Sequence, residues 1–260
     1  MAITQNINRI GNFTSSEIHN LIKEGKHKGT FGAPALTYIE EKNFERELLR
    51  SIGSEANARA LLWGKLLEKR AFDLLDTSYT LNSDETIMHP EFDFWSGSPD
   101  GFKLGANKAV FDIKCPYTLK SFCQLSKCTN AEELRKGHSD GEKYYWQLVS
   151  NAIITNCTSA ELIVYMPYKS ELLAIDEMID AMDTDTAKQY NFVKYATENE
   201  LPYLMTNGKY KNIYKIAFDI PQSDIDLLTS KVIAASEMLQ PRFVIAHYDN
   251  EVNATIIQNG

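Results

Sequence analysis

Apolar positions recur at helical spacing through one early stretch. Ala58, Leu61, Leu62, Leu66 and Phe72 form a stripe that predicts a helix over about 54–75. Ser54 is placed to cap it, and Gly53 to end the helix before it, which Pro34 starts and which runs to about residue 52. A shorter helix is expected from Ser15 or Ser16 to residue 24, followed by a basic loop, Lys26-His27-Lys28-Gly29-Thr30-Phe31-Gly32. Strand character appears at 86–89, 92–98 and 109–115. Gly101 and Gly105 mark a turn region between the last two, and Pro116, which has no amide hydrogen, ends the third. Helices are expected at 118–128, 131–136 and 142–154, then a strand at 161–166 stopped by Pro167. Helical stretches over 170–210, a strand near 213–220 and a long helix over 221–239 complete the chain. Strands and helices interleave, which predicts an α/β (α+β) fold with a central mixed sheet flanked by helices.

Composition narrows the class. The chain has 260 residues, 43% hydrophobic and 24% charged, a balance that excludes a disordered, collagenous or coiled-coil protein. One or two domains fit that length, and 1–260 is read as one. No apolar run approaches the ~20 residues of a membrane helix. Residues 1–6 show no basic region leading into an apolar one. The expectation is a cytoplasmic protein with no membrane partner.

The net charge of −8 argues against a non-specific nucleic-acid coat but leaves room for a local basic surface. From Lys103 to Lys127 there are five lysines and one acid, whereas Glu171 to Thr206 holds eight acids and two lysines. Four cysteines (Cys115, Cys123, Cys128, Cys157) contain no C-x-x-C pair, so zinc is not indicated. Four thiolates would suffice for an iron–sulfur cluster, but reduced structural thiols are the better reading. The five histidines are scattered.

The informative stretch is Pro99-Asp100, eleven residues, then Asp112-Ile113-Lys114. Side chains alternate along a strand, so Asp112 and Lys114 share a face and Ile113 takes the other. If the strand ending near Asp100 pairs with the next one, both carboxylates converge beside Lys114. Two hard carboxylates suit Mg²⁺, with the Ile113 carbonyl as a further ligand. Such an ion would polarise a phosphodiester and acidify a bound water, and Lys114 would position that water or stabilise charge on the phosphate. Taken alone, each residue also reads blandly: a turn aspartate, a solvated strand face, an exposed helix glutamate at Glu68, a polar helix residue at Gln147.

Together these residues resemble a known family. Glu68, Ser98-Pro99-Asp100-Gly101, Asp112-Ile113-Lys114-Cys115-Pro116 and Tyr144-x-x-Gln147 follow the order of the PD-(D/E)XK nucleases, specifically the lambda exonuclease and YqaJ-type viral recombinase family. Asn57-Ala58-Arg59-Ala60-Leu61-Leu62-Trp63-Gly64-Lys65 and Thr14-Ser15-Ser16-Glu17-Ile18-His19-Asn20 extend the likeness, which covers roughly 8–168 and more loosely 212–239. The resemblance implies a Mg²⁺-dependent 5′→3′ double-strand DNA exonuclease, with Mn²⁺ as a substitute metal. It would release 5′-mononucleotides and leave 3′ single-stranded tails for recombination. Asp100, Asp112 and the Ile113 carbonyl would bind the ion, Glu68 a metal water or second ion, and Lys114 and Gln147 would orient the attacking water. Arg9 and Ser16 have the seven-residue spacing of the family's 5′-phosphate pocket. Leu61 matches an apolar wedge position, a core leucine being the alternative; Lys26 and Tyr144 are further DNA-contact candidates. A homotrimeric ring, with lysines facing its channel and the acidic segment outward, and a single-strand annealing partner are implied, as is a phage or prophage source in a bacterial host.

Two departures stand out. Asp112 occupies a position that is glutamate in lambda exonuclease, and the segment 170–210 has no counterpart. An endonuclease of the same superfamily and a catalytically silent DNA-binding protein remain the competing readings. The Arg9/Ser16 pair distinguishes the first, because an internal cutter needs no end pocket.

Overall fold

The computed structural model describes residues 7–52, 58–82, 86–105, 108–197, 200–242, 244–245 and 256–257. The chain opens with a 3₁₀ turn (Ile7–Arg9), strand β1 (Phe13–Thr14) and a second 3₁₀ segment (Ile18–Ile22). Helices α1 (Ala33–Leu48) and α2 (Ala58–Asp73) follow, then strands β2 (Tyr79–Leu81), β3 (Ile87–Met88), β4 (Trp95–Gly97), β5 (Gly101–Lys103) and β6 (Ala109–Lys114). Helices α3 (Leu119–Leu125), α4 (Ala131–Gly137) and α5 (Gly141–Thr155) lead to β7 (Ser159–Tyr165). The acidic segment forms α6 (Leu172–Asp180), α7 (Thr184–Gln189) and α8 (Asn191–Lys194), and β8 (Ile213–Asp219) and α9 (Gln222–Ser236) follow.

Five strands make the main sheet in the order β2-β5-β6-β7-β8. Only β6 and β7 are parallel. A parallel pair needs a long crossover, which α3, α4 and α5 supply. A smaller sheet, β1-β4-β3, stands apart, with β1 parallel to β4. The expected mixed sheet flanked by helices is therefore present, with a second mixed sheet beside it.

Period-two alternation divides the main sheet between two cores. Val110, Ala160, Leu162 and Val164 join the cluster that α5, α9 and the small sheet cover. Phe111, Ile113, Ile163 and Tyr165 join the other, built with Trp63, Leu66, Leu67 and Ala71 of α2. Those α2 positions recur at helical spacing, which turns one stripe inward. The second core is closed by Ile175 and Ile179 of α6, by Tyr190 and by Val193 of α8. Glu177, Asp180, Asp183 and Asp185 lie on the exposed side of the same segment.

Several expectations need correction. Ser15 and Ser16 do not cap a helix to residue 24; the helix is a single 3₁₀ segment, and Ser15 Oγ instead meets Ser150 Oγ at 2.8 Å. The first long helix stops at Leu48, because Leu49 turns left-handed at φ 52°. Gly53, Ser54 and Asn57 lie outside the described residues. Strand β2 and strand β1 were not foreseen. Gly101 is not in a turn but opens β5, where a Cβ would stand 2.1 Å from the Thr80 carbonyl oxygen and 2.5 Å from the Phe111 ring. The strand at 92–98 does not pair with β6; its core, β4, belongs to the small sheet.

Because α6 is part of a core, Ile179→Ala should cost about 2–5 kcal/mol of stability, while Leu173→Ala, 70% exposed, should stay within about 0.5 kcal/mol. Urea unfolding followed by circular dichroism compares the two.

Candidate active site

The β5–β6 hairpin brings the two carboxylates together from opposite ends of their eleven-residue spacer. Asp100 immediately precedes β5, and its backbone amide donates to the Phe111 carbonyl at 3.2 Å. Its side chain reaches one step further, where Oδ2 accepts the Ile113 amide at 2.5 Å. Asp112 points to the α5 side of the sheet and is only 2% exposed. Its Oδ1 accepts from Gln147 Nε2 at 2.9 Å. Its Oδ2 forms an ion pair with Lys114 Nζ, yet no hydrogen bond of good geometry satisfies that buried atom. Gln147 occupies the middle of α5, which packs on β6 and β7.

The charges shift one another. Burial first, then the negative charges of Asp112 and Glu68, push the Asp100 carboxyl well above the ordinary carboxylate range, against the opposing pull of Lys114 and the Ile113 amide. Burial alone would lower the Lys114 pKa, but Asp112 and Asp100 outweigh it and hold the ammonium charged. The Cys115 thiol is pushed up by burial and then by Glu68 and Asp100.

Lys114 opens into a cavity of about 550 Å³. Glu68 enters it from α2, and Leu61, Ile113, Tyr117 and Tyr144 share its lining. Leu61 is 55% exposed, so it is not a core leucine. Lys114 Nζ lies 5.4 Å from the Tyr144 ring centroid. Behind Tyr144, His138 stacks at 5.7 Å and 21°. The His138 Nδ1 accepts the Asp140 amide at 3.0 Å, which assigns the proton to Nε2 and makes it the donor to Ser121 Oγ at 2.7 Å. Sequence reasoning missed His138, Ser121 and Tyr117, because no local spacing ties α3 or its approach to the start of α5.

Arg9 and Ser16 share a different cleft, of about 990 Å³, with Thr14, Tyr38 and Lys42. Arg9 Nη1 donates to Ser98 Oγ at 3.1 Å, and Ser98 Oγ is 3.0 Å from Thr86 Oγ1. Ser98 is two residues before Asp100, so the end of the small sheet joins this cleft to the carboxylates. Helix α1 fixes the loop that carries Arg9: Glu45 Oε2 accepts the Gly11 amide at 2.9 Å, and Arg46 Nε donates to the Gly11 carbonyl at 2.8 Å. Gly11 itself needs a left-handed φ of 66°. Lys26 is exposed on its loop and lines neither cavity. Of the five lysines between 103 and 127, only Lys114 and Lys120 line the Glu68 cavity. Lys103 instead pairs with Glu161, and Lys108 lies 4.1 Å from the Phe102 ring centroid.

Among the described residues, no three His, Cys, Asp or Glu side chains form a metal-holding group. The four thiols are free and do not form an iron–sulfur ligand set. What the hairpin offers is smaller and harder: two carboxylates and a main-chain carbonyl, with Asp112 Oδ2 held in the Lys114 ion pair. That donor set fits Mg²⁺, which takes one or two carboxylates and keeps several waters.

The fold is that of the phage-type exonucleases. The alkaline exonuclease LHK-Exo from Laribacter hongkongensis superposes with a TM-score of 0.55 at 18% identity over 90% of each chain. Its complex with dAMP gives 0.54 at the same identity and coverage. A phage related exonuclease from Haemophilus somnus 129PT gives 0.57 at 19% identity, over 87% of this chain and 92% of that one. No curated protein sequence matches the chain. The YqaJ-like viral recombinase domain model matches residues 7–158, and the chain belongs to that family.

The raised Asp100 pKa has a sign that can be checked in metal-free protein. A carboxyl raised on folding destabilises the fold above its folded pKa and leaves stability unaffected below its ordinary value of 3.8. Asp100→Asn keeps an acceptor for the Ile113 amide and should therefore raise the melting temperature at about pH 7 in EDTA. The gain should fade towards zero below about pH 4. Paired thermal melts across that range measure it.

Proposed function

We propose that this chain is a Mg²⁺-dependent deoxyribonuclease that degrades duplex DNA from its 5′ ends, releases 5′-mononucleotides and leaves 3′ tails for single-strand annealing. The observation that carries the reading is the Asp112–Lys114–Gln147 cluster set against Asp100 at the mouth of the hairpin. The link from Asp100 through Ser98 to Arg9 supports an end-dependent enzyme. Family membership supports a role in recombination. The reading includes the homotrimer and the annealing partner that the family resemblance implies.

Asp100, Asp112 and the Ile113 carbonyl would hold Mg²⁺, with Glu68 holding one of its waters or a second ion. Bound there, the ion supplies Lewis acidity to the phosphodiester and lowers the pKa of a water. Lys114, held charged by Asp112 and Asp100 in the metal-free site, takes the part of a donor: it orients the water or stabilises charge on the phosphate. Gln147 Nε2 donates to Asp112 Oδ1, and its Oε1 would accept from the attacking water. Arg9 and Ser16 bind the terminal 5′-phosphate, the arginine by a charge-assisted contact.

Linear duplex DNA with 5′-phosphates and Mg²⁺ should be consumed from its 5′ ends while a closed circle survives. Lys114→Ala should slow that loss at least about 100-fold. Cutting of the circle would make the chain an endonuclease, and no cleavage of either would make it a binding protein.

Arg9→Ala should separately reduce the preference for phosphorylated over hydroxyl ends by roughly ten-fold or more, as expected for losing a charge-assisted contact. An unchanged ratio of the two rates removes Arg9 from end recognition.

A further inference from the structure

One wall of the Glu68–Lys114 cavity leads into the acidic segment. Tyr117 lines the cavity, and its ring meets Trp63 at 5.9 Å and Phe192 at 6.0 Å, both edge-on. Phe192 is on α8, and the Arg59 guanidinium of α2 lies 5.9 Å from its ring centroid. Tyr190, just before α8, feels the Glu68 charge after burial has already raised its phenol. The segment therefore backs a residue of the cavity wall and does not merely decorate the surface.

Burial separates the three rings by role. Trp63 is fully buried and anchors the group. Tyr117 and Phe192 are half-buried, so each keeps some ring surface in water. Leu61, largely exposed, stands on the same cavity. Cations are close at hand: Arg59 over Phe192, and Lys114 and Lys120 on the cavity that Tyr117 lines. Aromatic faces near cations beside this cavity suit single-stranded DNA, whose bases stack while its phosphates seek positive charge. An apolar peptide side chain would gain nothing from the cations.

We propose that Tyr117 and Phe192 form a stacking ledge for the unpaired base next to the phosphate being cut. The proposal rests on the nuclease reading of the cavity and adds to it a subsite supplied by the acidic segment. Amphipathic helices set Phe192 against Tyr117 at the cavity wall while their acids stay in solvent.

The test reads stacking without turnover. A duplex carrying 2-aminopurine at its 5′-terminal nucleotide is titrated with the Lys114→Ala protein in Mg²⁺, and with the same protein also bearing Phe192→Leu, Phe192→Tyr or Tyr117→Leu. Leucine retains apolar bulk and removes the π face, so the fold is kept. Binding should quench the fluorophore. Phe192→Leu and Tyr117→Leu should each abolish most of the quench and weaken binding roughly ten-fold, and Phe192→Tyr should restore both. Quenching and affinity unchanged in both leucine variants would overturn the ledge. If the unmodified chain fails to cut DNA but the leucine-sensitive quench persists, the nuclease reading falls, and with it the ledge's place beside a cut phosphate, while base stacking on Tyr117 and Phe192 stands. If the chain cuts DNA and the quench ignores both substitutions, only the ledge falls. A chain that neither binds nor cuts DNA overturns both.

Discussion

The Asp112 carboxyl stands in a place that is almost dry, and most of the surrounding architecture follows from making that tolerable. An isolated buried carboxylate is strongly unfavourable unless it is paired and hydrogen-bonded. Lys114, on the same strand face, supplies the opposite charge, and Gln147 supplies a donor from α5. Neither can move far. Lys114 is fixed by β6, which lies between β5 and β7, and Gln147 by a helix packed across β6 and β7. Asp100 is added from the other side through the Ile113 amide, and its own ionisation is opposed by burial and by its neighbours. The centre therefore gathers more carboxyl groups than its single lysine can balance, and a bound cation would relieve that crowding.

The hairpin that creates this condition depends on a close approach. Gly101 pairs with Phe111 and also lies against the Thr80 carbonyl, where a side chain would collide with backbone. The same turn of chain carries Ser98 back towards Arg9. Helix α1 then grips the Arg9 loop through Glu45 and Arg46. The Arg9 cleft and the carboxylate centre are in this way linked by one hydrogen bond and two residues of chain, with little room for one to shift independently of the other.

The sequence made the catalytic candidates legible because their signals are local. Alternation along Phe111-Asp112-Ile113-Lys114 gives the facing of Asp112 and Lys114 directly, since a strand has period two. The long helices were legible from stripes and punctuation, though their ends moved by a few residues. What escaped was set by distant contacts. Gly101 looks like a turn signal until Thr80 and Phe111 are seen on either side of it. The two-residue strand at Phe13 has too few positions to show any period. Leu61 belongs to an apolar stripe, yet the stripe is wider than the buried surface and leaves it 55% exposed. Ser98 was present in the quoted motif, but its partner Arg9 is 89 positions away.

Charge composition misled in a more specific way. The run of lysines from 103 to 127 suggests a single basic surface, but β6 carries its two ends to opposite ends of the sheet. Lys103 spends its charge on Glu161, while Lys114 and Lys120 line the cavity. The acidic segment misled in the reverse sense. Its helices have nine, six and four residues, too short for a clear periodic signal. Their net charge dominates the sequence, yet Ile175, Ile179, Tyr190 and Val193 close the second core. A short amphipathic helix is stable mainly through the face that it buries, so the acids mark where the solvent is and the apolar minority marks what the segment does. By that logic the route from α6 to α8 is fixed by the core beneath it, and the position of Phe192 beside Tyr117 follows from how that core closes.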